Sequence, residues 1–361
     1  MKILVMKFRN IGDVLLSTPL IDNLKAAFPE ATIDFALNKN CAEMIALHPH
    51  VHNLLCYDRG QIKQEAFVSR LWSEASFYHQ VRKNQYDMVI NLTEGDRGAS
   101  LAWLSRAKTR VGILPRNGVL KHCGPFSAFV GDTPPGHTVE KDLFPLRLLK
   151  ITPLSKRVRI FWDSQTEETI AQILKQQAIG CFVHIHPVAR WMFKCWDDQR
   201  FAKVIDYLEL KKGVRVVISA SPDLNELEKV DQILAHGRSA PVNLSGRLSL
   251  KEVACLSKHA RFFIGVDTGP MQMAAAVDIP VIALFGHSEA NVWGPWDNQL
   301  ETAQYNNTGK TQQNGKHIVI QKGRGEIVRQ NGQKISTAMM QIEAEEVKAV
   351  IDTYLCSTAL P

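Results

Sequence analysis

The sequence predicts an α/β protein made of two doubly wound, Rossmann-like domains. Three observations carry that prediction. Short apolar, strand-like runs alternate with helical patterns through the first 160 residues. The same alternation restarts at Cys181 and continues to Phe285. A chain of 361 residues is too long for one small domain and sufficient for two of this kind.

In the first half, Ile3–Met6 reads as a buried strand and Thr32–Leu37 as a second. Asn53–Tyr57 is a third candidate, and Met88–Leu92, preceded by Tyr86-Asp87, is a stronger one. Leu15, Leu16, Leu20, Leu24 and Ala27 share a helical face. Pro19 within that run either kinks one helix or sits in the first turn of a helix starting at Ser17 or Thr18. In the second half, strands are predicted at Cys181–Ile185, Val214–Ser219, Phe262–Val266 and Val281–Phe285. Helices are predicted at Asp197–Leu210, Leu224–Leu234, Leu250–Ser257 and Met271–Ala276. The linker is placed within Asp163–Gly180, which itself carries a helical pattern. Ile318–Gln321 and Glu326–Arg329, flanking Gly323-Arg-Gly325, read as a hairpin, and Met339–Leu355 as a last amphipathic helix. Domains are therefore expected at 1–165 and 178–338, with a closing helix at 339–356.

Composition bounds the function classes. With 45% hydrophobic and 22% charged residues the chain reads as an ordinary soluble globular protein. No apolar run reaches the roughly 18 residues of a membrane span. The N-terminal apolar run is broken by Arg9 and Asp13 and reads as a strand, not a signal peptide. Seven scattered cysteines without a Cys-x-x-Cys pair argue against a zinc site or a disulfide framework. The net charge of +7 suits an anionic partner without choosing one. A dinucleotide fingerprint is absent after every candidate strand, and Gly309-Lys310-Thr311 lacks the first glycine of a phosphate-binding loop.

Three stretches carry chemistry. In Lys7-Phe-Arg-Asn-Ile-Gly-Asp13 a strand ends and a helix opens. Gly12 permits close approach of a ligand, and Asp13 is placed to take a proton from a hydroxyl or, alternatively, to cap the helix. The stretch His184-Ile-His186-Pro-Val-Ala189-Arg190-Trp-Met-Phe-Lys194 follows a strand. Arg190 and Lys194 there suit a diphosphate or form a solvated basic loop. His184 and His186 share one strand face, so a metal pair is conceivable, but no further ligand lies nearby in sequence. Finally, Val266-Asp267-Thr268-Gly269-Pro270-Met-Gln272 runs from a strand into a helix whose free amides would hold phosphate. A single Asp-Thr-Gly in an α/β chain does not make an aspartic protease.

Together these stretches resemble the bacterial ADP-heptose:lipopolysaccharide heptosyltransferases. The N-terminal Lys-x4-Gly-Asp-Val-Leu-Leu, the His186-to-Asp197 loop and Val-Asp-Thr-Gly-Pro occur in family order. Pro280–Gly286 and Trp293–Trp296 add to the match, and the loop resembles the heptosyltransferase III branch most. The resemblance implies a GT-B fold, two Rossmann-like doubly wound domains facing a central cleft, with the acceptor on the first and the donor on the second. It implies that the closing helix returns to the first domain. It further implies an inverting, metal-independent transfer without cofactor. Asp13 is then the base and Lys194 the diphosphate cation. Asp267 orients the heptose, Thr268 and Gly269 hold phosphate, Leu248 packs on adenine, and Asp223 meets the nucleoside. Gly12, Ala189 and Arg190 complete the expected donor-binding set. Gln272 stands where the family usually carries histidine, and can donate a hydrogen bond without becoming cationic. Arg116 and Lys121, in a basic run from Arg97 to His122, are expected to meet an anionic lipopolysaccharide acceptor and the inner membrane. The implied partners are ADP-heptose and lipopolysaccharide inner core, with no nucleic acid, and the implied location is cytoplasmic, peripheral at the inner membrane. A transferase of another nucleotide sugar and a non-catalytic glycan binder are the alternatives.

Overall fold

The computed structural model describes residues 1–115, 120, 122–306, 309–330 and 332–357. The chain divides between Phe161 and Trp162 into two compact units. The segment 163–180, expected to hold the linker and to carry a helical pattern, forms the helix Ser164–Gln176, which belongs to the second unit and packs on the helix Leu250–His259.

The first unit holds strands β1 (Lys2–Lys7), β2 (Thr32–Asn38), β3 (Asn53–Tyr57), β4 (Met88–Asn91), β5 (Thr109–Ile113) and β6 (Ala128–Val130). They form one sheet in the order β3-β2-β1-β4-β5-β6, and every pairing is parallel. Strand β1 is central, and Ile3 to Met6 are fully buried because helices cover both faces of such a sheet. The strand order reverses between β1 and β4, which places the ligand crevice of this fold at their C-terminal ends. The Pro19 alternatives resolve in favour of two helices, Ile11–Leu15 and Thr18–Ala27, with Pro19 in the first turn of the second. Ser17 Oγ donates to Val14 O at 2.7 Å and Thr18 Oγ1 to Leu15 O at 2.9 Å, which closes the first helix.

The second unit holds β7 (Phe182–His186), β8 (Arg215–Ile218), β9 (Val242–Asn243), β10 (Phe263–Val266), β11 (Val281–Phe285), β12 (Gln312–Asn314) and β13 (His317–Gln321). Their order is β12-β13-β11-β10-β7-β8-β9, parallel except for β12 against β13. The expected hairpin at 318–329 is thus not formed. Residues 318–321 enter the main sheet beside β11, and the hairpin lies one element later, β14 (Ile327–Gln330) with β15 (Gln333–Ser336). The pairing closes at Gln330 with Gln333, and Gly332 just before β15 takes a φ of +80°.

The C-terminal segment also differs from expectation. It forms two helices, Thr337–Met340 and Ala344–Ser357, and its apolar face joins the second unit's own core. Met339, Ile342, Val347 and Ile351 are buried there beside Trp196 and Phe201. Trp196 Nε1 donates to Ile342 O at 3.0 Å, and Tyr207 OH donates to the Asp352 carboxylate at 2.8 Å. The resemblance assigned this helix to the first unit; its packing puts it in the second.

Candidate functional site

In the first unit, Asp13 lies on the first turn after β1 and is 8% exposed. Its Oδ2 accepts from the Asn10 amide at 3.2 Å and from Asn10 Nδ2 at 3.3 Å. Asn10, not Asp13, is therefore the N-cap, and Asp13 closes the turn from the third helical position. Both contacts use the same oxygen. Six residues earlier in the same motif, at the last position of β1, the buried Lys7 ammonium donates to Asp142 Oδ1 at 2.6 Å and Oδ2 at 2.8 Å. Burial pushes the Asp142 carboxyl up to about 6 against the pull of Lys7, and the charge of Asp13 adds to that rise. Asp13, Lys7 and Asp142 thus form one charged group at the end of β1. Asp142 was not legible in the sequence, because 135 residues separate it from Lys7.

At the same end of the sheet, a pocket of about 350 Å³ is lined by Arg9, Glu94, Asp96, Leu114, Asp132 and Thr133, among others. These residues follow β1, β4, β5 and β6, so the pocket lies at the C-terminal edge that the strand order marks. Glu94 pairs with Thr133 Oγ1. Three carboxyl groups and one guanidinium suit the hydroxyls of a sugar better than a phosphate cluster. Its signal in the sequence is Thr93-Glu-Gly-Asp96, two acids and a glycine just after a strand.

The second unit brings the other motifs together. Strands β7 and β10 are parallel neighbours, so the loops after them meet. Lys194 Nζ donates to Asp267 Oδ2 at 2.5 Å across 73 residues of sequence. Their side chains are 17% and 10% exposed, respectively. The Lys194 ammonium also lies 5.0 Å from the Trp191 ring centre, a cation–π contact. Thr268 is the N-cap of the helix Gly269–Ala276, but its Oγ1 donates back to Val266 O at 3.2 Å and makes no capping bond. Pro270 in the first turn has no amide proton to orphan. The helix end therefore presents amides and a positive dipole beside Lys194 and Asp267.

The remaining expected residues take varied roles. Ala189 is buried, and its carbonyl accepts from the Cys195 thiol, while Arg190 is exposed. Leu248 is half-buried in the loop between β9 and the helix Leu250–His259. Asp223 is exposed and caps the helix Leu224–His236, accepting from the Asn225 amide at 2.9 Å. The buried acid here is Glu226, in the first turn of that helix and 5% exposed, whose Oε2 accepts from the Ser221 amide. Gln272 is 3% exposed, and its Nε2 donates to Trp293 O at 2.7 Å. One of its two N–H donors is thus spent on the fold. Gly12 sits half-buried next to Asp13.

The histidine pair is structural. His184 bonds Ser257 Oγ at 2.8 Å and Ser219 Oγ at 2.7 Å, and His186 bonds the same Ser219 Oγ at 2.9 Å. Burial lowers the two rings to about 3 and about 4, so both are neutral. Among the described residues, Glu167, Cys255 and His259 place three ligand-type atoms within 4.8 Å of one another. Glu167 accepts from Trp162 Nε1 and the Cys255 thiol, and burial together with Glu167 pushes that thiol up to about 12, which keeps its proton on. Helix Leu250–His259 precedes β10, so its C-terminal end lies at the opposite sheet edge from Asp267.

Of the basic run, Arg97 bonds Tyr57 OH and Glu74, and Arg110 donates to the carbonyls of Pro125 and Ala107. These two serve the fold. Arg116 and Lys121 lie outside the described residues.

The family described as glycosyltransferase family 9 (heptosyltransferase) matches residues 75–322. The chain is 33% identical over 298 residues to lipopolysaccharide heptosyltransferase 3 of Escherichia coli (strain K12), covering 80% of this chain and 83% of that protein. The chain belongs to glycosyltransferase family 9. Solved structures of that family share its fold. The family 9 glycosyl transferase of Veillonella parvula DSM 2008 superposes with a TM-score of 0.80 at 19% identity, over 99% of this chain and 97% of that one. The E. coli heptosyltransferase WaaC with ADP gives 0.73 at 19% identity, over 98% of this chain and all of that one. This family 9 chain therefore has the GT-B architecture expected from its motifs. Among the described residues, no helix is long and apolar enough to cross a membrane.

Proposed function

We propose that this chain is an inverting, metal-independent heptosyltransferase of type III, moving heptose from ADP-heptose to the lipopolysaccharide inner core. The observation that carries the reading is the Lys194–Asp267 pair beside an amide-presenting helix end. A cation, a hydroxyl-binding carboxylate and a positive helix dipole are what a sugar diphosphate needs. The relatives' names supply the identity of the sugar and acceptor.

The reaction then runs as a direct displacement. An acceptor hydroxyl attacks the anomeric carbon from the face opposite the diphosphate. The carbon–oxygen bond to the diphosphate breaks, and ADP leaves with the electron pair. Asp13 receives the hydroxyl proton on Oδ1 while Oδ2 stays on Asn10. Lys194 and the amides after Thr268 and Gly269 meet the charge that develops on the leaving phosphate. Asp267 turns its second oxygen to the sugar hydroxyls. Leu248 packs on the adenine, Asp223 or Glu226 meets the ribose, and Arg190 and Ala189 line the phosphates. The charged pocket of the first unit takes the acceptor sugar, and Arg116 and Lys121 its anionic groups. The enzyme works in the cytoplasm, in peripheral contact with the inner membrane.

Gln272 favours one second reading, a related transferase using a different nucleotide sugar, because it cannot become cationic and one of its two N–H donors is engaged by Trp293. Incubation with ADP-heptose, other nucleotide sugars and a truncated lipopolysaccharide acceptor, read by mass spectrometry, decides. A heptosyl increment from ADP-heptose alone supports the first reading, and an increment from another donor alone replaces it.

A further inference from the structure

The helix Phe67–Lys83 is anchored by its C-terminal half, where Phe77 and Val81 are buried in the first unit's core. Its first turns stand outside that core. Phe67, Val68, Leu71 and Trp72 are 76%, 64%, 54% and 73% exposed. The spacing puts Phe67 over Leu71 and Val68 over Trp72, so the four side chains form one stripe. Single exposed apolar residues are common; a contiguous stripe of four large ones on a helix end is not.

The charges around the stripe are sorted by sign. Arg59, Lys63 and Arg70 are exposed. The acids of the same stretch are engaged within the fold. Glu65 accepts from Ser73 Oγ at 2.7 Å, and Glu74 pairs with Tyr57 and Arg97. Asp58 accepts from Lys39 Nζ at 2.9 Å and from the Gln61 amide. The outward face therefore combines aromatic and aliphatic side chains with cations.

We propose that the stripe Phe67–Trp72, with Arg59, Lys63 and Arg70, docks this protein on the surface of an anionic lipid bilayer. The surface deepens the peripheral membrane contact in the reading above, and it differs from the basic run 97–122 first considered. A helix with aromatic and aliphatic residues on one side and Lys/Arg at its rim seats its apolar face at the headgroup boundary while the cations meet lipid phosphates. A second copy of the chain fits less well. A twofold interface apposes a patch with itself, which would bring the cations Arg59, Lys63 and Arg70 of one copy against the like-charged rim of the other.

The test uses the full chain and vesicles of phosphatidylcholine with phosphatidylglycerol, with pure phosphatidylcholine as control. Wild type is expected to co-sediment with the mixed vesicles and much less with the neutral ones. Phe67→Ser/Trp72→Ser and Lys63→Glu/Arg70→Glu should each weaken partitioning about tenfold or more. Melting temperature and transfer to a water-soluble truncated acceptor should stay unchanged, which separates this proposal from the reading of the reaction. Equal vesicle binding by Phe67→Ser/Trp72→Ser, or no binding by wild type, overturns the proposal. So does light scattering that shows a wild-type dimer and a monomeric Phe67→Ser/Trp72→Ser variant, because the stripe is then a self-association face.

Discussion

Replacing Asp267 by Asn should tighten ADP binding while slowing sugar transfer. In the structure the Lys194 ammonium is already paired with Asp267 Oδ2 at 2.5 Å, so part of its charge is neutralised before a diphosphate arrives. A phosphate oxygen at ~3 Å from that ammonium lies roughly 5 Å from the carboxylate. Two unit charges at that separation repel by ~3 kcal/mol at an effective dielectric of 20. The pair is partly exposed, and salt screening reduces the repulsion to about half. Removing it is therefore worth ~1.4 kcal/mol, about tenfold in the Kd for ADP. Lys194→Ala should act in the opposite direction. It deletes a charge-assisted bond worth ~1.5–3 kcal/mol and leaves Asp267 facing the phosphate without its cation. The double variant Lys194→Ala/Asp267→Asn should recover about the tenfold that Asp267→Asn contributes. Titration calorimetry with ADP measures all three, and turnover with ADP-heptose should fall in each. If Asp267→Asn weakens ADP binding, or Lys194→Ala leaves it unchanged, Lys194 is not the diphosphate cation.

Asp13→Asn keeps the contact to Asn10 and should retain the fold and ADP affinity while turnover drops roughly 10²–10⁴-fold; a rate within twofold of wild type removes Asp13 as the base. Transfer should survive excess chelator, since Lys194 and helix amides meet the leaving phosphate; a rate lost on chelation and restored by Mg²⁺ or Mn²⁺ refutes this. Acid should destabilise the chain through His184 and His186, whose folded values lie near 3 and 4, below the ordinary 6.5. Their contribution is complete above pH 6.5 and declines as pH falls toward 4, because the unfolded chain takes up protons the buried rings refuse, at up to ~1.4 kcal/mol per ring per pH unit. Urea unfolding between pH 7 and 5 should show a shallower pH slope for His186→Gln than for wild type, and equal slopes would count against the assignment.

Much of the fold was legible because parallel α/β units announce themselves locally. The buried strands read as continuous apolar runs, and each was flanked by a helical period. The placement of Asp13, Lys194 and Asp267 was legible for a related reason: each lies in the segment that follows a strand, the end at which this fold binds ligands. What escaped were relations across the chain. Asp142 looks like any acid on a polar helix until Lys7 is found against it, and Glu226 is masked by the stronger capping signal of Asp223. The hairpin was misplaced because Gly323 and Gly325 are also turn residues, and only the parallel pairing of residues 318–321 with β11 removes them from it. The helix 344–357 was assigned to the wrong unit because an amphipathic period shows that a face is buried but not against what.

The basic residues show the same distinction most sharply. A run without acids, from Arg97 to His122, was the conspicuous feature of the linear sequence, yet Arg97 and Arg110 turn to carbonyl, hydroxyl and carboxylate oxygens of their own domain. The stretch 59–72 holds Glu65 among its cations and would be passed over in a scan for charge. Folding half-buries the acid, bonded to Ser73 Oγ, and leaves Arg59, Lys63 and Arg70 outward, beside four apolar side chains brought together by helical spacing. Binding to an anionic surface depends on the charge that remains exposed after internal pairing, and on the apolar area beside it, not on the density of Lys and Arg along the chain. For this reason salt should weaken vesicle binding of the wild type only in part. Screening acts on the cations over about 8 Å at physiological ionic strength but does not touch the burial of Phe67 and Trp72. Residual binding at high salt should disappear in Phe67→Ser/Trp72→Ser and persist in Lys63→Glu/Arg70→Glu, a contrast that a purely electrostatic contact cannot produce.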